Sequence, residues 1–179
     1  MTQKFKSRGF TVLCALALLV SGCGKKTPQN GEAEAAADAP IVSSFRMNAP
    51  SAKKQLTKGV YQLESGAWRW TAGNFTITLK TPPGAAQKGA VLTLNLVASG
   101  AVLQQVHSQS LTAAIGDQTL KAEKYLDPGA HTFTADVPAS ALTGDTIAID
   151  FSLDNSLPPG TTDRRELGII LMGASLDSN

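Results

Sequence analysis

TIAIDFSL, residues 146–153, alternates apolar residues with small or polar ones without a break. If this stretch is a β-strand, its apolar members fall on one face, because successive side chains of a strand point to opposite faces. These members are Ile147, Ile149, Phe151 and Leu153. A period of two is typical of an antiparallel strand with one buried face, and it contradicts the 3.6-residue period of a helix.

The same alternation recurs in FTITL, residues 75–79, and in VLTLNLV, residues 91–97. Clusters of Pro, Gly and Asp separate such stretches, and these residue types favour turns. Gly116-Asp117 predicts a two-residue hairpin turn, and PASAL, residues 138–142, predicts a short helical turn. The sequence therefore predicts an all-β fold, an antiparallel β-sandwich or jelly roll, for residues 59–179.

An apolar run that ends at a cysteine indicates where the protein is located. Residues 10–20 are weakly polar to apolar and follow three basic residues, Lys4, Lys6 and Arg8. The run is shorter than the roughly 20 residues that span a bilayer, and it has the order of a secretory signal peptide. Its end, Val20-Ser21-Gly22-Cys23, resembles the lipobox of bacterial lipoproteins.

This resemblance implies cleavage after residue 22, thioether lipidation of Cys23 and acylation of the new amino terminus, with palmitate as a typical acyl group. Such a chain is held in a membrane of the cell envelope by its lipid. Gly24, rather than Asp, follows the cysteine. In lipoproteins resembling those of enteric bacteria this implies the outer membrane, if the host has two membranes. The alternative is a plain signal peptide with a chance cysteine.

Removing the signal peptide changes the charge and the cysteine count of the chain. The whole chain carries 16 basic and 14 acidic residues, but residues 1–22 hold three bases and no acid. The mature chain therefore has 13 bases against 14 acids, and its charge gives no support to nucleic-acid binding. Cys14 leaves with the signal peptide and Cys23 carries lipid, so no thiol remains for a disulfide, a metal site or a nucleophile.

Residues 23–58 are predicted to be a flexible linker behind the lipidated cysteine. They are rich in Ala, Pro, Ser, Lys and Glu and contain few large apolar residues. Such a composition buries too little apolar surface to offset the entropy of ordering the chain. One short apolar stretch, with Ile41, Val42, Phe45 and Met47, is the weak point of this prediction.

Several segments together resemble the jelly-roll modules of the galactose-binding-like superfamily. They are YQLESGAWRW (61–70), the Gly116-Asp117 hairpin, DPGAHTFTADVP (127–138) and LPPGTTDRRELGIILMGASL (157–176). The last segment contains D-x-R-x-L-G, which is similar to the closing strand of small sandwiches in bacterial envelope proteins. The resemblance implies a jelly roll that binds carbohydrate in many members and docks neighbouring domains in others. No calcium-site pattern of the superfamily is carried over to this sequence.

Two aromatic residues on one strand are the first candidates for ligand binding. Trp68 and Trp70 flank Arg69, so both indoles share one face and the guanidinium lies on the other. The indoles suit stacking against sugar rings. Large aromatic residues also anchor the cores of small sandwiches, and the core interpretation is favoured here.

A charged segment before the last strand supplies the other candidates. Asp163-Arg164-Arg165-Glu166 is the densest charge cluster of the domain. An arginine of this cluster offers a fork that suits carboxylates or sugar hydroxyls, but an ion pair of Asp163 and Arg165 that fixes the loop is the favoured interpretation. Glu64 is close to the tryptophan pair in sequence. If the last strand lies near the first in one sheet, Glu64 or Asp163 is predicted to pair with Arg164, Arg165 or Arg69.

No catalytic motif is present in the sequence. His107 and His131 do not have metal-ligand spacing, and there is no G-x-S-x-G elbow, P-loop or G-x-G-x-x-G. The sequence therefore favours a lipid-anchored, non-catalytic binding module, with a glycan as ligand and with no cofactor or metal. The alternatives are a structural or assembly lipoprotein that docks an envelope protein through a sandwich face, and an uncharacterised hydrolase.

Overall fold

The computed structural model describes residues 39–179, which form an antiparallel β-sandwich with short helices at its margins. The strands are β1 (Ser44–Arg46), β2 (Leu56–Glu64), β3 (Trp68–Lys80), β4 (Ala90–Ala98), β5 (Gln109–Ile115), β6 (Gln118–Tyr125), β7 (Gly129–Val137), β8 (Thr146–Leu153) and β9 (Ile170–Ser178). The helices are α1 (Ala52–Gln55), α2 (Ala85–Lys88), α3 (Gly100–Val106) and a 3₁₀ turn (Ala139–Ala141).

Strand β3 belongs to both layers of the sandwich. Its first part pairs with β9, through Arg69 opposite Leu171 and Trp70 opposite Ile170. Its second part, from Asn74 to Lys80, pairs with β8. The strand order is β6-β5-β8-β3-β9-β4-β7, with β1 added to β9 and β2 added to β3. One layer therefore contains β3, β8, β5 and β6, and the other contains β3, β9, β4 and β7.

The core lies between the two layers and is built from the apolar faces of the alternating strands. Phe75 and Phe151 are cross-strand partners whose rings stack with centroids 4.8 Å apart. Phe133 of the opposite layer meets Phe151 edge to face at 6.5 Å. Such aromatic contacts add stability beyond the burial of their area. The all-β sandwich predicted from the alternation is thus confirmed.

Two local predictions are confirmed, whereas the short helices α1, α2 and α3 were not predicted. The Gly116-Asp117 turn joins β5 to β6, and Gly116 has a φ of 55°, which suits glycine. The PASAL segment contains the 3₁₀ turn. Helix α3 was not predicted, because only Val102 and Leu103 of its seven residues are buried and so short a helix shows no clear period.

The fold begins earlier than the sequence predicts, so the last part of the predicted linker is a correction. Residues 44–46 pair with β9, and Phe45 and Met47 are buried in the core. The buried amide of Gln55 donates to the carbonyls of Val42 at 2.8 Å and Thr78 at 3.0 Å, which fixes this segment to β3. The predicted domain boundary at residue 59 is too late, because β2 itself begins at Leu56.

The predicted signal peptide (1–22), Cys23 and the linker up to residue 38 lie outside the described residues. Among residues 39–179, no helix is both long enough and apolar enough to cross a bilayer.

Replacing Met47 with Ala tests whether this early segment belongs to the fold. The side chain is 0% exposed, so its loss should lower the free energy of unfolding by about 2–5 kcal/mol. Urea denaturation of the protein measures this change. Asn48→Ala, one residue further on and exposed, is the control and should leave the midpoint nearly unchanged. Equal midpoints for both variants would restore the flexible-linker interpretation.

Candidate functional site

The pleat of β3 separates the two indoles from Arg69. Arg69 lies on the side of β3 that also carries the buried core residues Phe75 and Ile77. Trp68 and Trp70 therefore point to the outer face, where both are half-buried. Their ring centroids are 6.1 Å apart at an interplanar angle of 84°, an edge-to-face pair. The opposite directions of Arg69 and the indoles are as predicted, but the favoured core position is wrong, since neither indole joins the core cluster.

An apolar row crosses the outer face from the tryptophan pair. Trp70 is opposite Ile170, Ile170 is opposite Val97, and Val97 is opposite Ala130. Directly opposite residues share a face of the sheet. Met172, two residues further along β9 and 37% exposed, accepts a backbone hydrogen bond from Met47 at 3.2 Å, so its neighbour on that edge is the segment after β1.

A groove of about 580 Å³ lies on this face; neither indole lines it, and its link to the pair is Ala67, the residue before Trp68. We call it the outer groove, and its lining residues are Ser44, Phe45, Arg46, Asn48, Ala67, Asn95, Met172, Gly173, Ala174 and Ser175. Gly173 allows β1 to lie close, because a Cβ there would be 3.1 Å from the Phe45 carbonyl oxygen. The groove therefore depends on the pairing of β1 with β9. Among its described lining residues, Arg46 is the one cation, and Ser44, Asn48, Asn95 and Ser175 are neutral residues that can hydrogen-bond.

Arg165 joins the closing loop to β2. Its Nη1 donates to Glu64 Oε1 at 2.7 Å, and its Nη2 and Nε donate to the two Asp163 oxygens at 2.8 and 3.1 Å. Its guanidinium also lies 5.3 Å from the centre of the Tyr61 ring. The predicted pairing of Glu64 and Asp163 with an arginine is confirmed. Hydrogen bonds from Arg165 hold the pKa of Asp163 at about 2, and the two carboxylates raise the pKa of Arg165.

The D-x-R-x-L-G segment has a structural reason for each of its fixed residues. Asp163 also accepts from the Arg165 backbone N–H at 2.9 Å, which closes the turn. Leu167 exchanges two backbone hydrogen bonds with Leu157 at 2.8 Å. A Cβ on Gly168 would lie 2.6 Å from Thr71 Oγ1 and 2.7 Å from the Ala72 carbonyl oxygen, so only glycine fits against β3.

Two other predicted candidates lie apart from this cluster. Arg164 is exposed, with no hydrogen bond or ion pair from its side chain within residues 39–179. Arg69 donates instead to the backbone carbonyls of Met47 and Tyr61, each at 3.1 Å. Burial lowers the pKa of Arg69.

Sequence reasoning missed the residues of the outer groove. Asn95 is the one strongly polar side chain in 91–97, and its place in the alternation puts it on the outer face. That signal was readable, but the contributions of Arg46 and Ser175 depend on the β1–β9 pairing, which the sequence did not reveal. Within the described part of the chain, no three His, Cys, Asp or Glu side chains cluster as a metal site would require.

Comparison with known proteins gives a fold-level likeness. No protein-family model and no curated protein sequence matches the chain. A solved structure described as "CBM4 structure and function" is similar over 82% of this chain and 98% of its own, with 12% identity and a TM-score of 0.37. At that level the likeness carries no argument about function.

The Asp163–Arg165 link should make stability depend on pH in the acid range. The pKa of Asp163 is lowered from 3.8 in the unfolded chain to about 2 in the folded protein. The contribution of ionised Asp163 to the free energy of unfolding is therefore complete above about pH 4, and it is lost as the pH falls towards 2. Asp163→Asn should lower the urea midpoint at pH 6 and match the wild type at pH 2. Asp117→Asn, in the β5–β6 turn, controls for loss of one carboxylate. If the urea midpoint of Asp163→Asn stayed below that of the wild type by the same amount at both pH values, the ion pair would be excluded as the cause.

Proposed function

We propose that the protein is a lipid-anchored, non-catalytic binding protein of the cell envelope whose ligand is a glycan. The observation that carries this proposal is the outward-facing, half-buried Trp68–Trp70 pair, which follows Ala67 of the polar outer groove in sequence. A buried pair would have explained these residues by packing alone. An outward pair leaves apolar aromatic surface in solvent, next to side chains that hydrogen-bond.

The outer face offers the two kinds of contact that a sugar ring requires. Its apolar C–H surface stacks on an aromatic plane, and its hydroxyls need hydrogen-bond donors and acceptors. Trp68 and Trp70 supply the aromatic surface, and Arg46, Asn95 and Ser175 supply polar groups in the groove. Binding sites are commonly apolar surfaces with a few such polar groups. In this proposal Glu64, Asp163 and Arg165 fix the closing loop against β2 rather than bind ligand.

The anchor in this proposal is the acylated Cys23, with the following residues holding the sandwich at the membrane surface. Its support is the signal-like run and the Val20-Ser21-Gly22-Cys23 pattern. Each buried methylene of an acyl chain contributes about 0.8 kcal/mol, so several chains anchor the protein firmly.

A second candidate function is docking of an envelope protein on the same face. Its support is Met172, which is 37% exposed and lines the outer groove. Methionine and tryptophan are both enriched at protein interfaces. This alternative requires binding to a protein with no contribution from sugar.

Trp70→Ala, tested on an array of bacterial envelope glycans, distinguishes the two functions. Loss of the stacking surface should weaken glycan binding at least about tenfold, or 1.4 kcal/mol. Because the indole is half-buried, the free energy of unfolding should fall by less than the roughly 3–5 kcal/mol of a core aromatic. Thr78→Ala, on the same face at the far end of β3, should leave binding unchanged. Wild-type protein that binds no array glycan but retains an envelope protein through Trp70 would favour docking.

Cys23→Ala tests the anchor independently of the ligand. The variant should not incorporate labelled palmitate and should leave the membrane fraction, because the acyl chains are the proposed attachment. Metabolic labelling followed by density-gradient fractionation measures both, and in a host with two membranes the wild type should sediment with the outer membrane. Unchanged labelling or unchanged membrane retention of the variant would contradict the lipoprotein proposal.

A further inference from the structure

A second cavity, of about 830 Å³, opens at the edge of the sandwich between β2 and the segment that follows β1. We call it the edge pocket. Its apolar walls come from Ala49, Pro50, Leu56, Val60 and Leu63, and its remaining lining residues are Asn48, Lys53, Tyr61, Gln62 and Arg69. Its volume is in the range of small-molecule sites. It shares Asn48 with the outer groove, and the tryptophan pair lines neither cavity.

Arg69 forms the inner end of this pocket, and its charge is only partly compensated. The residue is 9% exposed, and its Nε and Nη1 each donate to one backbone carbonyl. Nη2 donates no hydrogen bond within residues 39–179, although a guanidinium carries five N–H groups. The ion pairs of the described residues are Lys121–Glu123 and the two formed by Arg165, so Arg69 has no carboxylate partner among them.

The two hydrogen bonds explain how Arg69 holds its neighbours, but they do not explain its charge. Joining Met47 to Tyr61 is a structural role that neutral donors also perform. Nη2 is not among the fully buried side-chain atoms that lack a partner, so its N–H groups remain accessible from the open pocket to an opposite charge. Lys53 adds a second positive charge to the pocket, and no Asp or Glu is among the described residues that line it.

We infer that the edge pocket is a second binding site, separate from the outer groove, which takes the carboxylate of a small ligand with an apolar body. Arg69 Nη2 and its remaining Nη1 N–H present the planar fork that matches a carboxylate. Lys53, at the exposed side of the pocket, adds long-range attraction. The apolar walls, including Leu63 at 37% exposure, cover the rest of the ligand.

Octanoate is the probe for this site, with two matched comparisons. The neutral 1-octanol has a similar apolar chain without the charge, and acetate has the charge without the chain. Isothermal titration of the soluble chain 24–179, which contains every described strand and the whole core, measures the affinities. Octanoate should bind saturably with one site, and 1-octanol should bind at least about tenfold more weakly because a hydrogen-bonded charge is lost. Acetate should also bind more weakly, since it leaves the walls uncovered.

Neighbouring lysines of α1 provide the variant and its control. Lys53 and Lys54 are both exposed, but only Lys53 lines the pocket. Lys53→Gln should weaken octanoate binding about threefold, the size expected for a partly solvated ion pair, whereas Lys54→Gln should not change it. Arg69→Met should abolish binding in a chain that is still folded by circular dichroism. If that variant does not fold, the lysine pair decides.

Three results would overturn the inference. They are no saturable octanoate binding, equal affinity for 1-octanol or acetate, and equal effects of the two lysine variants. Glycan binding at the outer groove is measured separately on the array, so either proposal can be contradicted while the other stands.

Discussion

Strand β3 is the constraint on which the rest of the structure depends. Its thirteen residues pair with β9 at one end and with β8 at the other, so one strand joins both layers. Because a strand alternates strictly, the requirement that Phe75, Ile77 and Leu79 face the core also decides every earlier position. That requirement buries Arg69 and turns Trp68 and Trp70 outward. The candidate glycan site and the edge pocket are therefore two consequences of one pleat.

The sequence predicted the layers of the fold better than their margins. Alternation in 75–79, 91–97 and 146–153 identified central strands, because each has one face against the core. The first residues of β3 were harder to assign. There the inner positions hold Arg69 and Thr71, so the polar and apolar pattern is inverted. Aromatic side chains are usually buried and arginines are usually exposed. Here the indoles lie on the outer face and the guanidinium on the inner one, so the core position favoured for the tryptophans is wrong.

Long-range contacts were predictable only where a resemblance supplied the topology. Glu64 and Arg165 are 101 residues apart and meet as predicted, because the closing segment lies against β2 and β3. The β1–β9 pairing had no such signal. A three-residue strand shows no period, and the surrounding residues are typical of a linker. Since β1 forms one wall of the outer groove, the groove was not predictable either, although Asn95 and both tryptophans were readable from the sequence.

Acrylamide quenching of tryptophan fluorescence tests the outward position of the indoles most directly. The chain contains two tryptophans, Trp68 and Trp70, and both belong to the candidate site. The tryptophan emission therefore reports on that site alone. The structure predicts partial quenching in the native protein, clearly above that of a core indole and below that of the urea-unfolded chain, and shielding when a glycan is bound. Emission that is shifted to the blue and barely quenched in the native state would place the pair in the core and contradict the account.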